Sequence, residues 1–164
     1  MTPKDAIVYG LRFSGNMLGM FTGDLSRQDL HHRIVPAANP AAWIVGHLIL
    51  TERSALKLLG VAPETLPALP YDGFEKRFAQ DESATRAEHY GDAEVLPAVF
   101  KEHREALIRA VESADDSVFD RPLEKPMRIA STVGELLLFF PIHVASHMGQ
   151  VSSIRRSLGR PPLV

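Results

Sequence analysis

Thr132-Val-Gly-Glu135-Leu-Leu-Leu-Phe-Phe-Pro141-Ile-His143-Val-Ala-Ser-His147-Met-Gly-Gln150-Val-Ser-Ser-Ile154-Arg-Arg-Ser-Leu158-Gly159 carries the marks of one long helix. Thr132 and Glu135 form a capping box at its start, two polar side chains three residues apart that can satisfy free backbone N–H groups. Gly159 stops it, and Pro161 and Pro162 follow. Arg155 and Arg156 occupy the last turn, where the helix dipole favours cations. Leu136, Phe140, His143, His147, Val151, Ile154 and Leu158 recur every three or four residues, which places them on one face. His143 and His147 therefore point inward together, nearly one turn apart.

A second helix is marked almost as clearly upstream. Asn39 can cap it, Pro40 is preorganised for its first position, and Ala41 to Leu50 is apolar except for Gly46 and His47. That end reads as deeply buried. Toward Gly60 the helix turns amphipathic, with Glu52, Arg53 and Lys57 on its wet side. Another helix is expected from Pro3 to Phe21, capped by Thr2, with Ile7, Leu11, Ser14, Leu18 and Phe21 as its stripe. Gly10, Gly15 and Gly19 each weaken it by about 1 kcal/mol relative to alanine. A further helix covers Glu94 to Ala114, with Leu96, Val99, Phe100, Leu107 and Ala110 inward and Pro97 near its start. Four long helices without strand alternation imply an all-α bundle, a single domain over residues 1–164. The connection from Gly60 to Asp92 is long for a helix–helix loop and must cross over the bundle, with a short helix expected near Phe74 to Phe78.

Composition narrows the function classes. The chain has 164 residues, 45% hydrophobic and 23% charged, enough for a sizeable core. With 18 basic and 20 acidic residues the net charge is −2, and no basic block exists, so neither nucleic acid nor a membrane is an expected partner. Cysteine is absent, which removes disulfides, thiolate metal sites and a protein thiol nucleophile. The start, Met1-Thr-Pro-Lys-Asp, lacks the basic and apolar regions of a signal peptide. The apolar run from Leu136 to Ile142 is far short of the roughly 20 residues that span a bilayer. A cytoplasmic protein is expected.

What remains as chemistry is three histidines. Taken singly, a histidine on an apolar face is usually a satisfied core residue. Three in one core are expensive unless each ring nitrogen finds a partner, and one shared divalent cation satisfies a nitrogen of each. His47, His143 and His147 are the expected ligands. Val144 stands where the general base of an HExxH protease would follow His143, so a thermolysin-like protease is disfavoured. His103 is either a fourth ligand or a boundary residue, and the charged Glu102, Arg104 and Glu105 beside it favour the boundary. His31 and His32, in a polar loop, and His89, in the long connection, are expected to be solvated. Trp43 reads most simply as core, though an indole over a ligand pocket would also serve recognition. Gln150 could bind a ligand or a neighbouring backbone group. Pro141 bends the last helix, either tilting the histidine pair beside a cavity or as a tolerated bend in packing, the reading preferred here.

Asn39-Pro-Ala-Ala-Trp-Ile-Val-Gly-His47-Leu resembles the second-helix signature of the DinB-like (YfiT-type) metalloproteins. Thr132-Val-Gly-Glu-Leu-Leu, His143-Val-Ala-Ser-His147-Met-Gly-Gln150 and Arg156-Ser-Leu-Gly-Arg-Pro-Pro resemble that family's fourth helix and tail. The resemblance covers essentially the whole chain. It implies an up-down-down-up four-helix bundle, often a homodimer, with one divalent ion held by His47, His143 and His147 and open positions filled by water. Nickel, zinc and iron all suit three neutral imidazoles.

The resemblance also implies, less directly, a metalloenzyme that acts on a small molecule, using a low-molecular-weight thiol as cosubstrate for S-transfer. No acid–base residue can be assigned from the sequence. The alternatives are a metal-dependent hydrolase and a non-catalytic metal-binding stress-response bundle, the latter favoured if His103 closes the site as a fourth ligand. A nucleic-acid module is the weakest reading.

Overall fold

The computed structural model describes residues 1–78 and 90–163. Four long helices dominate it: α1 (Pro3–Thr22), α3 (Ala41–Leu58), α5 (Leu96–Ser113) and α7 (Val133–Ser157). Short helices α2 (Arg27–His31), α4 (Phe74–Arg77) and α6 (Ser117–Asp120) lie in the connections. A two-stranded antiparallel hairpin, β1 (Pro122–Met127) and β2 (Ala130–Thr132), precedes α7. Among the described residues, no helix is long and apolar enough to cross a membrane.

Helices α1 and α7 start where their sequences say they should. Thr2 and Asp5 close a capping box on α1, and Thr132 and Glu135 close one on α7. The expected stripe of α1, Ile7, Leu11, Ser14, Leu18 and Phe21, is buried throughout. The short helix expected near Phe74 is α4, and it seats Phe74 and Phe78 in the core. Its approach explains Gly46, because a Cβ there would lie 2.2 Å from the Phe78 ring.

Other expectations need correction. Asn39 does not cap α3; Pro40 holds the cap position, with no side-chain hydrogen bond. A capping box of Ser26 and Asp29 winds 27–31 into α2, so His31 ends a helical turn rather than lying in a loop. His31 and His32 are only partly exposed, and His32 Nε2 lies 3.0 Å from Ser157 Oγ. The hairpin was not expected, because β1 buries only Leu123 and carries Pro122 and Pro126, leaving no alternation to read. It delivers Thr132 to the start of α7, tied by Val133 N–H donating to Arg121 O at 3.0 Å.

In the core, α1 packs on α7 and α5, and α3 on α5 and α7. Two apolar clusters fill it. One gathers Leu18, Trp43, Leu48, Phe78, Phe100 and Val144; the other gathers Leu11, Leu56, Leu107, Val111, Leu137 and Phe140. Between them along α1, α3 and α5 lies a polar layer of Ser14, Glu52 and Arg104, of which Ser14 is expected inward from the sequence and Glu52 on the wet side of its helix. Glu52 is fully buried, and Arg104 donates to it from Nε at 2.8 Å and from Nη2 at 2.6 Å. Arg104 Nη1 also donates to Leu11 O at 2.7 Å and Ser14 Oγ at 2.8 Å. The two charges neutralise each other, which is what makes their burial tolerable.

Candidate metal centre

His47 is carried by α3, and His143 and His147 by α7. These helices pack together, and the three imidazoles converge. His143 Nε2 lies 3.4 Å from His47 Nε2 and 3.0 Å from His147 Nε2. One ligand nitrogen from each residue falls within 4.8 Å of the others. Two donors on one cation at about 2.05 Å and a tetrahedral angle stand roughly 3.3 Å apart, so the separations fit one small divalent ion.

All three residues are half-buried rather than sealed in the core. On α7 the buried positions are Val133, Gly134, Leu137, Phe140, Val144, Val151, Ile154 and Arg155, a face that keeps Phe140, Val151 and Ile154 of the expected stripe but is turned toward Leu137 and Val144. Val144 fills the core, and the two histidines flank it on the side toward α3. Leu136 and Leu158, expected inward, are partly exposed. Arg155, assigned by sequence to the helix dipole, is instead buried and donates to Phe21 O and to the Asp24 carboxylate.

Burial, and next the neighbouring His147 ring, push His47 down to about 4. Burial followed by the other two imidazoles pushes His143 to about 4 as well. Burial lowers His147 too, opposed by its hydrogen bond to Gln150. The rings are therefore neutral near neutral pH, the form that offers a lone pair to a cation.

Gln150 was only loosely assigned from sequence, and the structure gives it a place. His147 Nδ1–H donates to Gln150 Oε1 at 2.8 Å, which leaves Nε2 as the lone-pair nitrogen aimed at the other two rings. Two aromatic residues brace the site at the same spacing. Trp43 stacks on His47 with centroids 4.9 Å apart and planes 5° apart. Phe139 stacks on His143 at 5.7 Å and 16°. Phe139 was missed, although its position four residues before His143 was a legible signal. The ring of Pro141 packs against Gly10 of α1, where a Cβ would come within 2.8 Å. This supports the packing reading of the proline.

His103 is not part of the cluster. It is fully buried, against the boundary expectation, and its Nδ1–H donates to Val99 O at 2.9 Å. The reading failed because Arg104, whose charge suggested a wet face, is itself buried against Glu52. His89 lies outside the described residues.

A sequence model of the DinB superfamily matches residues 11–151. The chain belongs to the DinB superfamily. The matched span runs from α1 into α7 and includes His47, His143 and His147. No protein of curated function matches the chain.

Proposed function

We propose that this DinB-superfamily chain holds one divalent cation, nickel, zinc or iron, through His47, His143 and His147, and acts on a small molecule with a low-molecular-weight thiol as cosubstrate. The observation that carries this reading is the convergence of three neutral imidazole nitrogens at 3.0 and 3.4 Å on two packed helices. With its own nitrogens at such distances the cluster cannot satisfy every ring by internal hydrogen bonding, because His147 Nδ1–H is already committed to Gln150. Three protein donors also leave coordination positions for a reactant, as in catalytic rather than closed structural sites.

When bound, a divalent ion supplies a Lewis acid that lowers the pKa of a coordinated thiol, so that thiolate exists near neutral pH. The chain's residues do the rest of the work. Gln150 fixes the tautomer of His147, while Trp43 and Phe139 hold the His47 and His143 rings in plane. No cysteine competes as nucleophile.

Two structural expectations belong to the same reading. The bundle runs up-down-down-up, supported by contacts of Gly10 with Pro141 and of Phe21 with Arg155, which set α1 and α7 side by side in one direction. The chain forms a homodimer, for which the exposed Tyr9 and Phe13 on α1 and Leu138 and Ile142 on the adjoining α7 offer an apolar surface.

Elemental analysis of tag-free protein, beside the same protein with all three histidines changed to alanine, tests the metal centre. About one divalent ion per chain in the first and none in the second is expected; equal metal in both refutes it. Consumption of thiols with monochlorobimane by the metal-loaded protein tests the reaction. Absence of turnover with common low-molecular-weight thiols would remove the thiol cosubstrate.

A further inference from the structure

Two cavities between the elements of the bundle differ in how their charges are matched. One, about 510 Å³ between α1 and α5, includes Arg12, Lys101 and Arg104 in its lining. Each of these cations has a carboxylate: Arg12 lies 2.6 Å from Glu112, Arg104 2.6 Å from Glu52, and Lys101 3.9 Å from Glu105. The other, about 790 Å³, lies between the last turns of α3, the first turns of α7 and the hairpin. Three cations line it, Lys57, Arg121 and Lys125, against one carboxylate, Glu124. Among the described residues neither Arg121 nor Lys125 pairs with any carboxylate, Glu124 included. Lys57 only approaches Glu75, at 3.8 Å. In a chain of net charge −2 this unmatched positive cluster is a local feature.

Arg121 is held in place from both sides. Its backbone carbonyl accepts from Val133 N–H at the start of α7, and its Nη2 donates to Leu58 O at the end of α3. The other N–H groups of the guanidinium have no partner among the described residues. A planar fork fixed in this way suits the two oxygens of a carboxylate. Beneath the cations the floor is apolar, made by Ala55 and Leu58 of α3, Leu136 and Phe140 of α7 and Leu123 of the hairpin. Phe140 precedes His143 by three residues, about 4.5 Å of helix rise, whereas Leu58, which anchors Arg121, follows His47 by about 16 Å of rise. The cavity therefore continues the groove between α3 and α7 that holds the histidines, and its cationic end is the far one.

We propose that this cavity binds an amphipathic organic acid, with the carboxylate on Arg121 and Lys125 and the apolar body along the floor between α3 and α7. Its volume suits a molecule of that kind. A neutral ligand would leave the cations as unmatched as they are now. One consequence rests on the proposed metal centre: the ligand's apolar end is the end turned toward His143, so the substrate class is a long-bodied acid that reacts away from its carboxylate.

The test is a fluorescence titration of dansylamino-undecanoate and of its methyl ester, which share one body and differ in charge, into the chain stripped of metal by a chelator. Saturable binding of the acid is expected, about tenfold tighter than the ester, the scale of a charge-assisted hydrogen bond at a site open to water. Arg121→Gln with Lys125→Gln should remove that preference while ester affinity stays within about twofold. Because Arg121 also ties the hairpin to α3, Lys57→Gln with Lys125→Gln serves as the second pair, leaves that tie intact and should lower the preference about threefold. Leu136→Trp fills the floor and should weaken acid and ester alike. The chain with all three histidines changed to alanine should bind the acid as the wild type does, so a failure of the metal reading leaves this result standing. The proposal is overturned by acid and ester bound alike, by no saturable binding, by a preference that survives both cation pairs, by a Leu136→Trp chain that binds both ligands undiminished, or by acid binding lost with the histidines.

Discussion

Replacing Arg104 by methionine would show how much the polar layer contributes to holding α3, and with it His47, in place. The substitution keeps the length of the aliphatic stem and removes the guanidinium. It deletes both donors to Glu52 and those to Leu11 O and Ser14 Oγ. The last two losses are small. Ser14 Oγ keeps its own hydrogen bond to Leu11 O at 3.3 Å, and that carbonyl belongs to a helix. Glu52 is different, since it is fully buried and its hydrogen bonds come from Arg104. Breaking a buried pair from one side costs about 3–5 kcal/mol. For a chain of this size that is a fall of roughly 6–20 °C in the unfolding midpoint.

The double variant E52L/R104M removes both charges together. Well-packed apolar residues in place of a buried pair are often neutral or stabilising, so the double variant should recover most of the loss. Burial pushes the Glu52 carboxyl upward, and Arg104 opposes that shift. Without Arg104 only the upward push remains. A carboxyl whose folded pKa lies above its unfolded one adds stability below the unfolded value and loses it as pH rises. The deficit of R104M should therefore shrink between pH 7 and pH 5. Urea unfolding at both pH values, with the slope checked for constancy, reads all three expectations. A single-variant loss below about 1 kcal/mol, or a double variant no better than the single, would refute the argument.

Three shorter predictions follow from other contacts. Gln150→Ala removes the acceptor that orients His147, and metal affinity should fall about 10–100-fold with little change in unfolding midpoint, by competition with a chelator. Gly46→Ala places a methyl against the Phe78 ring, where 2.2 Å is available, and should destabilise by about 1–3 kcal/mol in thermal unfolding, with loss of metal uptake if His47 is displaced. Asp24→Asn should flatten the acid limb of the stability profile. The Arg155 hydrogen bond, above all, holds the Asp24 carboxyl below its usual 3.8. Its contribution is present above that value and lost as pH falls through the folded pKa. Because Asp24 is half exposed, the difference between pH 7 and pH 3 should be modest.

The elements with strong local signals were legible because local chemistry alone determines them. Capping boxes, the stop at Gly159 and the 3.6-residue stripe of α1 need no tertiary knowledge. What the sequence concealed depends on partners far along the chain. Glu52 and Arg104 each looked like solvated charges, and only their meeting across α3 and α5 makes a buried pair of them. That error propagated to His103, judged by a neighbour whose environment had been misread. The hairpin was illegible for the opposite reason, because its strands bury too little to leave a period.

The phase of α7 bears most on function. Reading the histidines into the middle of the apolar face made them core residues that a cation must rescue. In the structure, α7 presents Leu137, Phe140 and Val144 to the core, and the histidines take the flank facing α3. A periodicity count cannot separate positions one residue apart when the whole helix is as apolar as this one. The distinction matters because a fully enclosed cluster would admit a cation only as a staple. Half-buried rings keep their lone pairs in a desolvated setting and still leave a side from which a reactant can approach. The place of both histidines on the flank of that face, rather than in its middle, thus strengthens the case for a working centre.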